Sequence, residues 1–133
     1  MIIEEDKMAK KVQFPFAAIA AFKDIVTIPM SFETGEQTTT GICFPKAVTI
    51  NEIRSIVMKA LAATDAGTIT GRNFVGISAG GVLTIPLSAT LNTENTTTPT
   101  TNNTVVADSY YYLTSAKTTA GGKVLVTLEY TER

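Results

Sequence analysis

Residues 48–69, VTINEIRSIVMKALAATDAGTI, decide the fold. Val48 and Ile50 alternate with polar residues, which is the two-residue period of a strand with one buried face. The alternation slips at Asn51 and resumes at Ile53, and this slip predicts a β-bulge near Asn51. The same stretch holds good helix formers, with Ile53 and Val57 at helical spacing, so a short helix is the alternative interpretation. We favour a strand because strands precede and follow the stretch at short intervals.

The rest of the chain repeats this format of apolar alternation between polar turns. Residues 26–32 alternate around Pro29, which suggests an edge strand or a bulge because proline has no backbone N–H to donate to a sheet. Residues 124–130 alternate cleanly after the Gly121-Gly122 turn. Seven or eight short strands at this spacing predict a single all-β domain, a sandwich or a barrel, over residues 24–133.

Composition narrows the range of functions. The chain has 133 residues, of which 44% are hydrophobic and only 17% charged, and polarity comes instead from 23 threonines. A net charge of −1 argues against nucleic-acid binding through a broad basic surface. Because there is no histidine, His-based catalytic triads and His metal sites are excluded. Cys43 is the single cysteine, and its apolar neighbours predict a buried, inert thiol.

Residues 1–23 read as an extended N-terminal arm. A charged start is followed by FPFAAIAAF, residues 14–22, which resembles a signal peptide, although Glu4, Glu5 and Asp6 make the start acidic. The apolar run is too short to span a bilayer, so no membrane role is expected. We interpret it as a segment that packs on this domain or on a neighbour. The candidate contact residues in the arm are Phe14, Pro15, Phe16, Ile19 and Phe22.

Two further features are candidates for binding. Residues 93–104, TENTTTPTTNNT, have no apolar face and predict a long surface loop with N-glycosylation patterns at Asn95 and Asn102. Tyr110, Tyr111 and Tyr112 are consecutive in a predicted strand over residues 105–116, so rings must lie on both faces of it. Either Tyr111 is in the core, or Tyr110 and Tyr112 are; the outward rings could stack on sugars. We find no phosphate-binding loop, no catalytic constellation and no cofactor motif in the sequence.

Four stretches carry a family resemblance. They are PKAVTI from Pro45, the Ala63-Thr64-Asp65 turn, VVADSYYYL from Val105, and VLVTLEY from Val124. Together they resemble the small jelly-roll virion structural proteins of tailed bacteriophages, such as capsid decoration proteins. The likeness covers about residues 40–131, and its motifs are turns and strands rather than catalytic residues.

The resemblance implies a jelly-roll-like β-sandwich that belongs to the virion and is not an enzyme. It implies a protein made in the host cytoplasm that binds the outer surface of the head and stabilises the shell. The expected partners are the major capsid protein and copies of itself, as a homotrimer or cluster. The alternative is a glycan-binding jelly-roll module of a tail fibre or another receptor-binding protein. It would contact a host surface glycan through Tyr110, Tyr111 and Tyr112, or through the loop of residues 93–104 that contains Asn95 and Asn102.

Overall fold

The computed structural model describes residues 23–74 and 79–133, and every regular element in these ranges is a β-strand. The strands are β1 (Asp24–Ser31), β2 (Thr39–Phe44), β3 (Val48–Lys59), β4 (Gly67–Arg72), β5 (Gly81–Ile85), β6 (Glu94–Thr97), β7 (Thr104–Val105), β8 (Ser109–Ala116) and β9 (Lys123–Glu132). The all-β prediction is confirmed.

The strands form two antiparallel sheets that pack face to face. Sheet A has the order β1-β9-β3-β6, with the two-residue strand β7 also paired to β3, and sheet B has the order β2-β8-β4-β5. Most connections cross from one sheet to the other. The exceptions are β4 to β5, which stays in sheet B, and β6 to β7, which stays in sheet A. This is the pattern of the double Greek key in a jelly roll. The jelly-roll-like sandwich expected from the sequence is therefore the fold observed.

The stretch that decides the fold is a strand and not a helix. β3 pairs with β9 along its whole length, and the register shifts between Ile50 and Glu52. The predicted bulge near Asn51 is thus confirmed. Because of the extra residue, Val48 and Ile50 face the core before the bulge, and Ile53 and Val57 face it afterwards. Asn51 is anchored by a 2.7 Å hydrogen bond that its Nδ2 donates to the hydroxyl of Thr131.

The inward residues of both sheets form one continuous apolar core. Each fully buried aliphatic side chain contributes about 1.5–3 kcal/mol relative to an exposed one, so this layer accounts for most of the stabilisation. Tyr111 is the largest fully buried side chain. The other members with less than 2% exposure are Val48, Ile50, Ile53, Val57, Ile69, Leu83, Ile85, Val105, Leu113, Val124, Val126 and Leu128.

Sheet edges explain the positions of Pro29 and Pro86. Pro29 lies in β1, which forms one edge of sheet A, and an edge strand tolerates proline where the missing N–H would point away from the neighbouring strand. Pro86 directly follows β5, the edge strand of sheet B. β5 ends at Ile85, because Pro86 has no backbone N–H to donate to the sheet.

Three local predictions are wrong. Residues 93–104 do not form only a loop, because Glu94–Thr97 are β6 and pair with β3 at the sheet edge. The strand predicted over residues 105–116 is interrupted at Asp108, which has a left-handed φ of 59°. Cys43 is exposed, because Ile42 and Phe44 take the inward positions of β2 and leave Cys43 outward.

Candidate functional site

The tyrosine row is divided between core and surface by the alternation of β8. Tyr111 points inward and is fully buried, whereas Tyr110 and Tyr112 point outward from sheet B. The rings of Tyr110 and Tyr112 lie with centroids 6.1 Å apart and planes inclined by 27°. Tyr110 is 46% exposed, so the pair offers aromatic surface to a partner.

Small and polar residues surround this pair. Gly41 of β2 pairs with Tyr112 on one side, and Arg72 of β4 pairs with it on the other. A Cβ on Gly41 would lie 3.1 Å from Cε1 of Tyr112, so the glycine lets the ring lie close to the sheet. We call Gly41, Arg72, Tyr110 and Tyr112 the tyrosine face. Its one charged side chain is Arg72.

The two asparagines of the alternative site do not join the tyrosine face. Asn95 lies in β6 of sheet A, and its Nδ2 atom is buried without a hydrogen-bond partner. A glycan could not be attached to this atom in the folded conformation shown. Asn102 lies in a bend before β7 and has a left-handed φ of 48°. Of the five residues in the alternative site, the structure brings together Tyr110 and Tyr112 alone on one surface.

The arm residues Phe14, Pro15, Phe16, Ile19 and Phe22 lie outside the described residues. Their assignment as a contact segment stays a prediction.

Sequence reasoning missed an apolar groove beside β1. It is a cavity of about 470 Å³ between the outer surface of sheet A and the β1–β2 loop. Its apolar part is made by Pro29, Met58 and Leu125, and Met58 is 55% exposed. Leu125 pairs with Pro29 on one side and with Ile56 on the other, so these three side chains form a row across three strands. We call this cavity the β1 groove; its lining is completed by Met30, Ser31, Glu36, Gln37, Thr40, Lys123 and Val124.

The charges at the rim of the β1 groove are already paired. Lys123 Nζ lies 3.3 Å from Oε1 of Glu36, and Lys59 Nζ lies 2.5 Å from Oε1 of Glu33. A hydrogen bond with Ser31 is the largest cause that lowers the pKa of Glu36, and the bond from Lys59 does the same for the pKa of Glu33. Both carboxylates are therefore ionised at neutral pH, and the rim presents balanced charge around an apolar floor.

A second charged cluster ties the turn after β3 to the turn after β8. Lys117 donates to Oδ1 of Asp65 at 2.9 Å, and the amides of Thr118 and Thr119 donate to the same carboxylate at 2.7 and 3.1 Å. The Lys117 side chain is fully buried in this contact. The hydrogen bond from Lys117 is the largest cause that lowers the pKa of Asp65, to about 2. These contacts make a structural clip that holds the two turns together.

Replacing Asp65 with asparagine should lower the thermal unfolding midpoint by several degrees at pH 7. The carboxylate has a pKa of about 2 when folded and an ordinary value of 3.8, so its stabilising effect is complete above about pH 4–5 and is lost as pH falls through 2. Thermal unfolding of Asp65→Asn and the wild type should be followed by circular dichroism from pH 7 to 2. The difference between their unfolding midpoints should shrink as the pH falls.

The matched control for this clip is Glu132→Gln. Glu132 faces Lys46 at 3.9 Å with 53% of its side chain exposed, so removing its charge should change the midpoint little at any pH. If the unfolding midpoints of Asp65→Asn and the wild type differ as much at pH 2 as at pH 7, the clip is not stabilised by the charge of Asp65.

In residues 23–74 and 79–133, no group of three or more Cys, Asp or Glu side chains is placed to hold a metal ion. No helix in these same ranges is long and apolar enough to cross a membrane.

Comparison with known proteins assigns no family. No protein-family model and no curated protein matches the chain. Among solved structures, it is similar to the Drosophila NLP core, described in connection with pentamer formation and histone binding, at 8% identity and a TM-score of 0.48, covering 82% of this chain and 99% of that one. The chain is also similar to the capsid structure of the Helicobacter pylori bacteriophage KHP30, at 11% identity and a TM-score of 0.48, covering 82% of this chain and 86% of that one. A third similar structure is the capsid of cyanophage Pam1, at 11% identity and a TM-score of 0.46, covering 84% of each chain. At such identities and TM-scores, the similarities assign no function to the chain.

Proposed function

We propose that the chain is a structural protein of a phage virion, a decoration protein that binds the outer surface of the capsid and stabilises the shell. The motif resemblance of residues 40–131 suggests this role. The observation that carries it is the character of the exposed surface on both sheets, which offers broad contact area with few charges to desolvate. Large apolar side chains are exposed on it at Ile25, Met58, Val82 and Tyr110.

Threonine suits such a contact surface for a physical reason. Thr39, Thr70 and Thr114 lie side by side on the outer face of sheet B, and the hydroxyls of Thr39 and Thr114 are 3.3 Å apart. A β-branched side chain has few χ1 states to lose on binding, whereas a buried Lys or Glu side chain loses about 1.5–2 kcal/mol of rotamer freedom. A threonine-rich face therefore binds a neighbouring protein at low entropic cost.

Stabilisation of the shell follows from linkage. A protein that binds the assembled shell and not the free capsid subunits shifts the equilibrium towards the shell. With free protein at about 100 times its dissociation constant, each site adds about 2.7 kcal/mol. No chemical step and no cofactor is needed for this function.

The test is co-sedimentation of the purified full chain with empty capsids of the phage that encodes it. Bound protein should saturate at a fixed ratio to the major capsid protein, and the saturated shells should disassemble at a higher temperature. Failure to pellet with shells at any concentration tested would contradict the proposal.

A glycan-binding role is the second candidate, and the tyrosine face favours it. Two outward rings beside a glycine form an aromatic surface of the kind that stacks on sugar rings. If this role holds, a glycan array should give a hit, and Tyr112→Ala should weaken it by at least about fivefold. Val82→Ala is the control, because Val82 is exposed on the same sheet but lies on the edge strand β5. An array without hits removes this candidate.

A further inference from the structure

We propose that residues 14–22 of one copy, here called the phenylalanine segment, bind in the β1 groove of a second copy. This inference rests on the proposed function in one respect, since that function makes the arm a contact segment. It adds the partner surface and the partner, and it predicts self-association without a capsid.

The β1 groove has the size and lining for apolar side chains. Its volume of about 470 Å³ falls within the range of small-molecule pockets and exceeds the volume of one phenyl ring several-fold. Pro29 of β1 and Leu125 of β9 pair with each other and line it, and Met58 adds a third apolar side chain from the register shift of β3 between Val57 and Lys59. Methionine is flexible and polarisable, and it packs favourably against aromatic rings.

The strand beside the groove is open on one side. Among the described strands, β1 pairs with β9 alone, so its other edge has no partner strand in residues 23–74 and 79–133. An extended peptide can add to such an edge, with main-chain hydrogen bonds giving affinity and pockets for alternate side chains giving specificity. Pro29, Met30 and Ser31, at the end of this strand, are part of the lining of the β1 groove.

The phenylalanine segment matches these two features. Phe14 and Phe16 are two residues apart, so both rings lie on the same side of an extended chain. Pro15 between them favours extended backbone at Phe14. The segment carries no charge from residue 14 to residue 22, which agrees with a groove whose rim charges are paired within the domain.

Turn chemistry favours a second copy over the same chain. The phenylalanine segment leads into Lys23 at the start of β1, whereas the groove lies near Pro29 and Ser31, about 20 Å along the strand. To reach its own groove, the chain would have to reverse at Phe22-Lys23 and run back beside β1. Tight two-residue hairpin turns need Gly, Asn or Asp, and neither residue of this pair is one of them.

The experiment is disulfide trapping between two differently tagged chains, both with Cys43→Ser so that the native exposed thiol cannot react. One chain carries Phe16→Cys and the other carries Met58→Cys. After mixing and mild oxidation without capsids, a covalent heterodimer should form. Its yield should exceed, by about tenfold or more, that of a control mixture in which Val82→Cys replaces Met58→Cys. Val82 is similarly exposed but lies on the outer face of sheet B, away from the groove.

Every outcome of this trapping experiment is decisive. Equal yields from the groove and control mixtures would overturn the proposal. A single chain with both Phe16→Cys and Met58→Cys that cross-links only internally would place the segment in its own groove and overturn the assignment to a second copy. Circular dichroism of each variant confirms that the fold is retained. No capsid is present in this experiment, so its result does not depend on capsid binding. The proposal of capsid decoration and the proposal of segment binding in the β1 groove can therefore fail independently.

Discussion

Gly71→Ala should lower the free energy of unfolding by about 2–3 kcal/mol. Gly71 is buried in β4, and a Cβ there would lie 2.0 Å from Oη of Tyr111 and 2.7 Å from its Cζ. The Tyr111 ring is held on all sides in the core and has no exposed surface, so it cannot swing away. The strain must be taken up by shifting β4 against β8. Urea unfolding of the purified variant measures the change.

Tyr111→Phe, the substitution on the other side of this contact, should leave the free energy of unfolding unchanged or raise it. Oη of Tyr111 is buried without a hydrogen-bond partner, and burial raises the pKa of this phenol to about 12. Removing an unpaired buried hydroxyl recovers its desolvation penalty, which is about 1–3 kcal/mol. In the Tyr111→Phe background, Gly71→Ala should cost about 1 kcal/mol less, because the closest clash has gone.

Gly41→Ala is the matched control for this cycle. Its Cβ would lie 3.1 Å from Tyr112, but that ring is on the surface and can move outward, so a change below about 1 kcal/mol is expected. Additive effects of Gly71→Ala and Tyr111→Phe would contradict the contact described.

Deleting residues 1–22 should weaken capsid binding by at least about a hundredfold while leaving the sandwich folded. The segment removed contains Phe14, Phe16 and Phe22, and burying each phenylalanine contributes about 1.5–3 kcal/mol. Even after the cost of ordering the arm, the loss should exceed the 2.8 kcal/mol that corresponds to a hundredfold change. Co-sedimentation with capsids measures the affinity, and circular dichroism verifies the fold.

A shorter deletion separates the apolar segment from the charged start. Removing residues 1–11 keeps all three phenylalanines, so most of the affinity should remain. If the chain without residues 1–22 saturates capsids at the same concentration as the full chain, the arm is not the contact segment.

The strands with one solvent-exposed face could be predicted from the sequence, because the alternation that indicates them lies within each strand. Alternation in residues 124–130 and its slip at Asn51 predict β9, β3 and the bulge, since a half-buried strand repeats every two residues. The same rule applies to β2, where inward Ile42 and Phe44 require an outward Cys43. The apolar neighbours of Cys43 were misleading, because they lie on the opposite face.

The parts that could not be predicted depend on residues far apart in the chain. β6 has no apolar face of its own and is a strand only because it pairs with β3, about forty residues earlier. The β1 groove joins Pro29, Met58 and Leu125, which no local pattern connects. The tyrosine row left two arrangements open, and the register of β8 against β2 decides that Tyr111 is the buried ring.

We propose that this chain is a component of the virion surface. The most direct test is quantitative mass spectrometry of purified virions from cells that carry its coding sequence. We expect the chain in many copies per particle, at a fixed ratio to the major capsid protein, and removable by treatments that leave the shell closed. Its absence from purified virions, or a trace amount that varies between preparations, would contradict the account.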